Sequence, residues 1–183
     1  MYYNEYSGYD PYLYEEEAPY MQSMASPMEE EQMQTVDIFT YPENLQGALY
    51  LIQKGLSGET EDRMFYSWLI ERAPSEEDIE IISGIRDNEI GHFALFNRLY
   101  SELTGMSPQL LQSEQFMAPA NYCTGLSRAL KGEQNAVQNY RKILYAMQDR
   151  VHINMMTEII TDEIRHGILY NYLYAKNNCH GQR

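Results

Sequence analysis

Two glutamate–histidine pairs carry the chemistry available to this chain. Glu89 precedes His92 by three residues in DNEIGHFALF, and Glu163 precedes His166 by three in TDEIRHGILY. On a helix this spacing returns both side chains to one face, a turn apart. Carboxylates with imidazoles hold divalent cations, and this hard oxygen set with two nitrogens suits iron or manganese better than thiolate-loving metals, although affinity alone does not keep zinc out. A single such pair would mean little, because charged helix surfaces produce it constantly.

The pairs belong to a repeat. Shifting the sequence by 74 residues (163 − 89) places Gly132-Glu133 on Gly58-Glu59, Tyr140 on Tyr66, Glu163 on Glu89 and His166 on His92. Leu130, Ile164 and Leu169 likewise fall on Leu56, Ile90 and Leu95. The pattern predicts a duplicated helical hairpin. With a turn near Ala73-Pro74, Glu59 and Glu89 each stand about 22 Å from it at 1.5 Å rise per residue, and a turn near Asp149 does the same for Glu133 and Glu163. Six side chains, Glu59, Glu89, His92, Glu133, Glu163 and His166, should therefore meet in one layer of the core. One glutamate from each of two helices and a Glu-x-x-His from each of the others is the ligand pattern of dinuclear carboxylate bundles. Four buried carboxylates need compensation, which two divalent cations supply while leaving both imidazoles neutral. Glycine inside a helix costs about 1 kcal/mol relative to alanine. Gly58, Gly91 and Gly132 are expected to give room beside the ligands.

The elements that must position this layer can be read from punctuation. Apolar residues recur at three and four residue spacing from Tyr41, giving a first helix that ends at Ala73-Pro74. Ser75 with Asp78 resembles a capping box opening a second helix, which Gly105 and Pro108 stop after Thr104. The next 15 or so residues are too long for a tight turn and must cross over. A third helix is expected over about Asn121 to Met147 and a fourth over about Asp149 to Lys176. The reading is all-α, a ferritin-like four-helix bundle over residues 39–178 with a short tail at 179–183.

Residues 1–38 differ in kind. Seven of the first twenty residues are tyrosine, nine acidic residues lie before Phe39, and no positive side chain occurs before Lys54. This segment is expected to be a disordered acidic tail, either a flexible arm or an adhesive segment that docks on a partner or is cross-linked. The formal net charge of −14 argues against nucleic acid and anionic membranes as partners. With no signal peptide or apolar span, a cytoplasmic location is expected. Cys123 and Cys179 are read as free thiols. They fall at the same end of an antiparallel helix pair, so a stress-formed disulfide would need Cα atoms within about 7 Å.

The pairs GETEDRMFYSWLIERAP with GIRDNEIGHFALFNRLYSELTG, and KGEQNAVQNY with ITDEIRHGILY, resemble the rubrerythrin branch of the ferritin-like superfamily over about residues 42–177. The resemblance implies that Glu59, Glu89, His92, Glu133, Glu163 and His166 bind two iron ions, with manganese possible, and that the four glutamates are the catalytic carboxylates. It implies an oxidoreductase that reduces hydrogen peroxide or oxygen as a peroxidase or ferroxidase, fed by an external electron donor, and a homo-oligomer. This chain lacks the paired-cysteine rubredoxin domain usual there, and has Ala136 where a further glutamate is common. A dimanganese catalase is the alternative within the fold. A structural protein docking through its tyrosine-rich tail into a spore coat or protein shell is the alternative outside it.

Lesser candidates have plainer readings. Tyr66 and Tyr140 could hydrogen-bond the site or carry an oxidising equivalent away, or simply pack the core. Glu61 is read as a surface residue, and Glu158 and Asp162 as solvated or at most lying behind a ligand. Trp68, Met64, Met155 and Met156 are read as core. His152 and His180 have no partner in the repeat.

Overall fold

A computed structural model describes residue 39, residues 44–111 and residues 116–181, apart from the side chains of Glu59 and Thr60. The expectations for the 1–38 tail lie outside these residues. The described chain forms helices α1 (Leu45–Ser57), α2 (Glu59–Arg72), α3 (Glu76–Thr104), α4 (Tyr122–Tyr145) and α5 (Arg150–Lys176), then a 3₁₀ turn at Cys179–Gly181. There is no strand among the described residues.

The helix ends follow their local chemistry. Ser75 is extended and its hydroxyl accepts from the Asp78 amide, while Glu76, Glu77 and Asp78 place negative charge on the first turn of α3. Gly105 ends that helix at φ 72°, a left-handed position suited to glycine. Asn121 accepts from the Thr124 amide at 2.8 Å to open α4. Asp149 accepts from the Val151 amide at 2.7 Å to open α5. The expected single first helix is interrupted at Gly58, whose amide bonds three residues back to the Gly55 carbonyl at 3.3 Å. Gly55, Ser57 and Gly58 are weak helix formers, and Ser57 is engaged elsewhere, its hydroxyl accepting from the Leu111 amide at 2.7 Å.

Contacts at the helix ends set the directions. Asp78 at the start of α3 pairs with Lys176 at the end of α5, and Glu102 near the end of α3 pairs with His152 near the start of α5 at 2.8 Å. These two helices are antiparallel. Glu61 meets Arg128 at 2.6 Å and Asn44 donates to the Lys142 carbonyl at 3.4 Å, so α1 and α2 run antiparallel to α4. It follows that α3 and α4 run the same way, and the segment joining them must return along the length of the bundle.

Two apolar clusters flank a polar layer. One cluster takes Ile82 and Ile85 from α3, Leu126 and Ala129 from α4, and Tyr170 and Leu173 from α5. The other takes Phe96 and Leu99 from α3, Ile143 from α4, and Met156 and Ile159 from α5. On each of the three long helices the gap between the clusters is where Glu89 and His92, Glu133, and Glu163 and His166 stand. Met155 and Met156 are core as expected, but Met64 is 51% exposed, on the outer side of α2.

The cysteines correct the free-thiol expectation: Cys123 and Cys179 form a disulfide, with Cα atoms 5.3 Å apart. Beyond α5 the chain turns back through Asn178 at φ 52°, which seats Cys179 against the first turn of α4.

Candidate metal centre

Three helices deliver the described donors. Ligand atoms of Glu89 on α3, Glu133 on α4, and Glu163 and His166 on α5 all lie within 4.8 Å of one another. His92 joins them, its Nδ1 3.2 Å from Glu163 Oε1 and 3.3 Å from Glu89 Oε2. The two imidazoles face each other with ring centres 5.8 Å apart. Five of the six expected side chains are thus together; the sixth, that of Glu59, lies outside the described residues although its backbone opens α2.

Apart from the hydrogen bond between His92 Nδ1 and Glu89 Oε2, these groups crowd without satisfying one another. His166 is fully buried and its Nδ1 is 3.0 Å from Glu89 Oε1, yet neither atom has an aligned hydrogen bond, and Glu163 Oε1 is in the same position. Buried polar atoms are normally paired. Donor atoms that approach closely while pointing at a shared centre are arranged as ligands are.

Burial would lower both imidazoles, but contact with the carboxylates outweighs it, and His92 is raised to about 10 and His166 to about 11. Burial pushes Glu133 up to about 9, with Glu163 adding to it. Against its own burial, Glu163 is held down to about 2 by His166 and His92. Protons retained on the two imidazoles and on Glu133 therefore offset part of the negative charge of the cluster. A divalent cation would displace these protons.

An outer set of side chains aims the imidazoles. His92 donates from Nε2 to Asp162 Oδ2 at 3.1 Å, and His166 donates from Nε2 to Asn88 Oδ1 at 3.4 Å. Each Nδ1 is left facing inward, the orientation such partners impose on metal-binding histidines. Arg165 joins the outer pair, donating to Asp162 Oδ1 at 2.7 Å and Asn88 Oδ1 at 2.9 Å. Asp162 was expected at most behind a ligand and is there. Asn88 was missed, although the 74-residue shift superimposes it on Asp162.

A cavity of about 320 Å³ leads to the carboxylates between α2 and α4, lined among others by Asp62, Tyr66, Glu133, Tyr140 and Glu163. Glu61, read as a surface residue, lies on its wall and is tied to Arg128. Burial raises the phenols of Tyr66 and Tyr140 well above the usual range, and both feel Glu89 and Glu133. The expectation that Gly91 and Gly132 make room among ligands is corrected, since a Cβ at either would meet nothing within 4 Å. The tight positions are Gly167, where a Cβ would come 2.5 Å from Gln134 Nε2, and Gly125, where it would come 2.7 Å from the Trp68 ring.

Fold and site together define a helical-bundle protein with a buried carboxylate–imidazole cluster able to hold metal. The chain belongs to the family of the uncharacterized protein YhjR of Bacillus subtilis (strain 168), to which it is 31% identical over 121 residues, 66% of this chain and 82% of that protein. No family model matches the chain, and no solved structure matches it. No described helix is long and apolar enough to cross a membrane.

Proposed function

We propose that the cluster is a dinuclear metal centre and the protein a non-haem di-iron oxidoreductase of the rubrerythrin type, built on a ferritin-like bundle. The observation that carries this reading is the convergence of Glu89, Glu133, Glu163 and His166 within 4.8 Å in a layer between two apolar clusters, with ligand-type atoms left unpaired. Two hairpins joined by a crossover that returns along the bundle support the ferritin-like connectivity.

The donor set fits the metal pair. Glu89, Glu133 and Glu163 would hold it with His92 and His166 through Nδ1, and Glu59 completes the set by the repeat. Two iron ions so held would supply one electron each to the O–O bond of hydrogen peroxide or oxygen. The chain's own residues do the rest. Asp162 and Asn88 fix the imidazoles, the apolar clusters keep bulk water away on both sides, and the cavity beside Tyr66 and Tyr140 admits a small polar oxidant.

Anaerobic loading with ferrous ion followed by hydrogen peroxide tests this. The expected result is peroxide consumption with an absorption change that saturates at the metal content, both lost in Glu163→Ala. Peroxide consumption unchanged in that variant would overturn the reading. Oxygen release from peroxide by manganese-loaded protein alone would make it a catalase.

A further inference from the structure

The reading above leaves the electron source open. We propose that Cys123 and Cys179 are that source: an internal dithiol–disulfide couple that supplies the electrons consumed at the carboxylate–histidine site. This rests on the oxidoreductase reading.

Placement is the first argument. Cys123 lies ten residues before Glu133 on α4, about 15 Å along the axis. Tyr66 and Tyr170 belong to the same buried cluster as the disulfide, and Tyr66 also lines the cavity with Glu89 and Glu133. On α5, Tyr170 is one turn past His166 in the direction of Cys179. Phenols therefore bridge the interval between metal layer and sulfur pair.

The second argument is broken symmetry. The repeat places Phe96 opposite Tyr170, Leu49 opposite Cys123 and Gly105 opposite Cys179. Only one half of the bundle carries oxidisable groups at these positions. Phe96 shows that packing there does not require a hydroxyl, yet the Tyr170 hydroxyl is fully buried, with Tyr66 reaching toward it without closing a full hydrogen bond. The end of the bundle is also held by contacts other than the disulfide. Asp78 already binds Lys176, Asn177 and Tyr122, tying α3, α4 and the end of α5 together.

The balance closes on one peroxide per disulfide. Two thiols release two electrons and two protons as the S–S bond forms; the O–O bond of hydrogen peroxide breaks, takes up both, and leaves two waters. An external thiol then resets the pair by exchange through a mixed disulfide. Cys179 sits in the final 3₁₀ turn, beside exposed His180 and Gly181, where local opening would admit it.

The test uses the full chain, reduced, freed of excess thiol and loaded anaerobically with ferrous ion. Two equivalents of hydrogen peroxide are added, one for the metal pair and one for the thiols, and free thiol is titrated after denaturation. Both thiols should disappear, with Cys123–Cys179 recovered on non-reducing peptide mapping. Metal-free protein should lose them at least about tenfold more slowly. Tyr170→Phe, which copies Phe96, should slow thiol loss by about tenfold with the iron spectrum unchanged. Peroxide consumed with both thiols intact overturns the dithiol proposal and leaves the oxidoreductase standing. Equal thiol loss without metal also overturns it. No peroxide consumption by loaded protein removes both.

Discussion

Asp162 holds His92 from behind: its carboxylate accepts from Nε2 at 3.1 Å while the Nδ1 of the same ring faces Glu163 at 3.2 Å. The equivalent partner of His166 is Asn88, an amide oxygen at 3.4 Å. A carboxylate makes its imidazole a stronger donor than an amide does, so the two histidines would be inequivalent as metal ligands. Asp162→Asn should weaken the His92 position by roughly tenfold and leave the His166 position near its original affinity. Stepwise anaerobic metal titration checks this; equal weakening of both steps would refute it.

A second prediction concerns pH. His92, His166 and Glu133 have folded values of about 10, 11 and 9, all above their unfolded values. The metal-free fold therefore binds more protons than the unfolded chain. The stability the two histidines contribute is present below the unfolded histidine value, and that of Glu133 below the lower unfolded glutamate value; both are lost as pH rises toward and through the folded ones. Glu163, held at about 2, acts in the opposite sense and contributes stability above the unfolded glutamate value, lost as pH falls. Metal-free protein should be most stable between these limits, in mildly acidic solution. A bound metal would displace the retained protons, so the rise in Tm on adding manganese should grow from pH 6 to pH 8. Calorimetry with and without the ion measures it, and a rise that shrinks over this interval would count against the cluster.

Glycine positions give a third. Gly125→Ala drives a methyl into Trp68 and Leu69, at 2.7 and 2.8 Å, and should cost roughly 1–3 kcal/mol. Gly91→Ala meets open space on an exposed helix face and should stabilise by up to about 1 kcal/mol. Urea unfolding of the two variants should therefore shift in opposite directions.

The polar lock at the far end of the bundle supplies a fourth. Asp78 is fully buried and accepts from Asn177 at 2.7 Å and Tyr122 at 3.1 Å, besides pairing with Lys176. Asp78→Ala leaves the Tyr122 hydroxyl without its acceptor, while Lys176 keeps Glu77 at 2.7 Å and Asn177 keeps the Leu173 carbonyl at 2.8 Å, and should cost about 1–3 kcal/mol. Unfolding by urea reads the loss directly.

Much of this arrangement was legible in the sequence because it depends on helical periodicity. The 74-residue repeat carries Glu89, His92, Glu133, Glu163 and His166 to matched heights, and side chains at matched heights on antiparallel helices meet. The cap at Ser75 and the stop at Gly105 are local chemistry, and the structure has both of them. What escaped depends on distance in space. The break at Gly58 is tied to Leu111, 54 residues away through Ser57. Asn88 is an unremarkable surface type until α5 brings His166 to it. The disulfide required the turn at Asn178, whose left-handed φ is not declared by the residue type alone. The glycines misled because a helical glycine signals close approach only when another element lies over it, as at Gly125 and Gly167.

The central claim is that these side chains bind a metal pair, and anaerobic ferrous titration with elemental analysis tests it most directly. The wild type should bind two ions per chain, and Glu133→Ala, which removes the α4 donor, should retain at most one while keeping its helical circular dichroism. A wild type that binds no iron, or a Glu133→Ala variant that still binds two ions with unchanged affinity, would contradict the account.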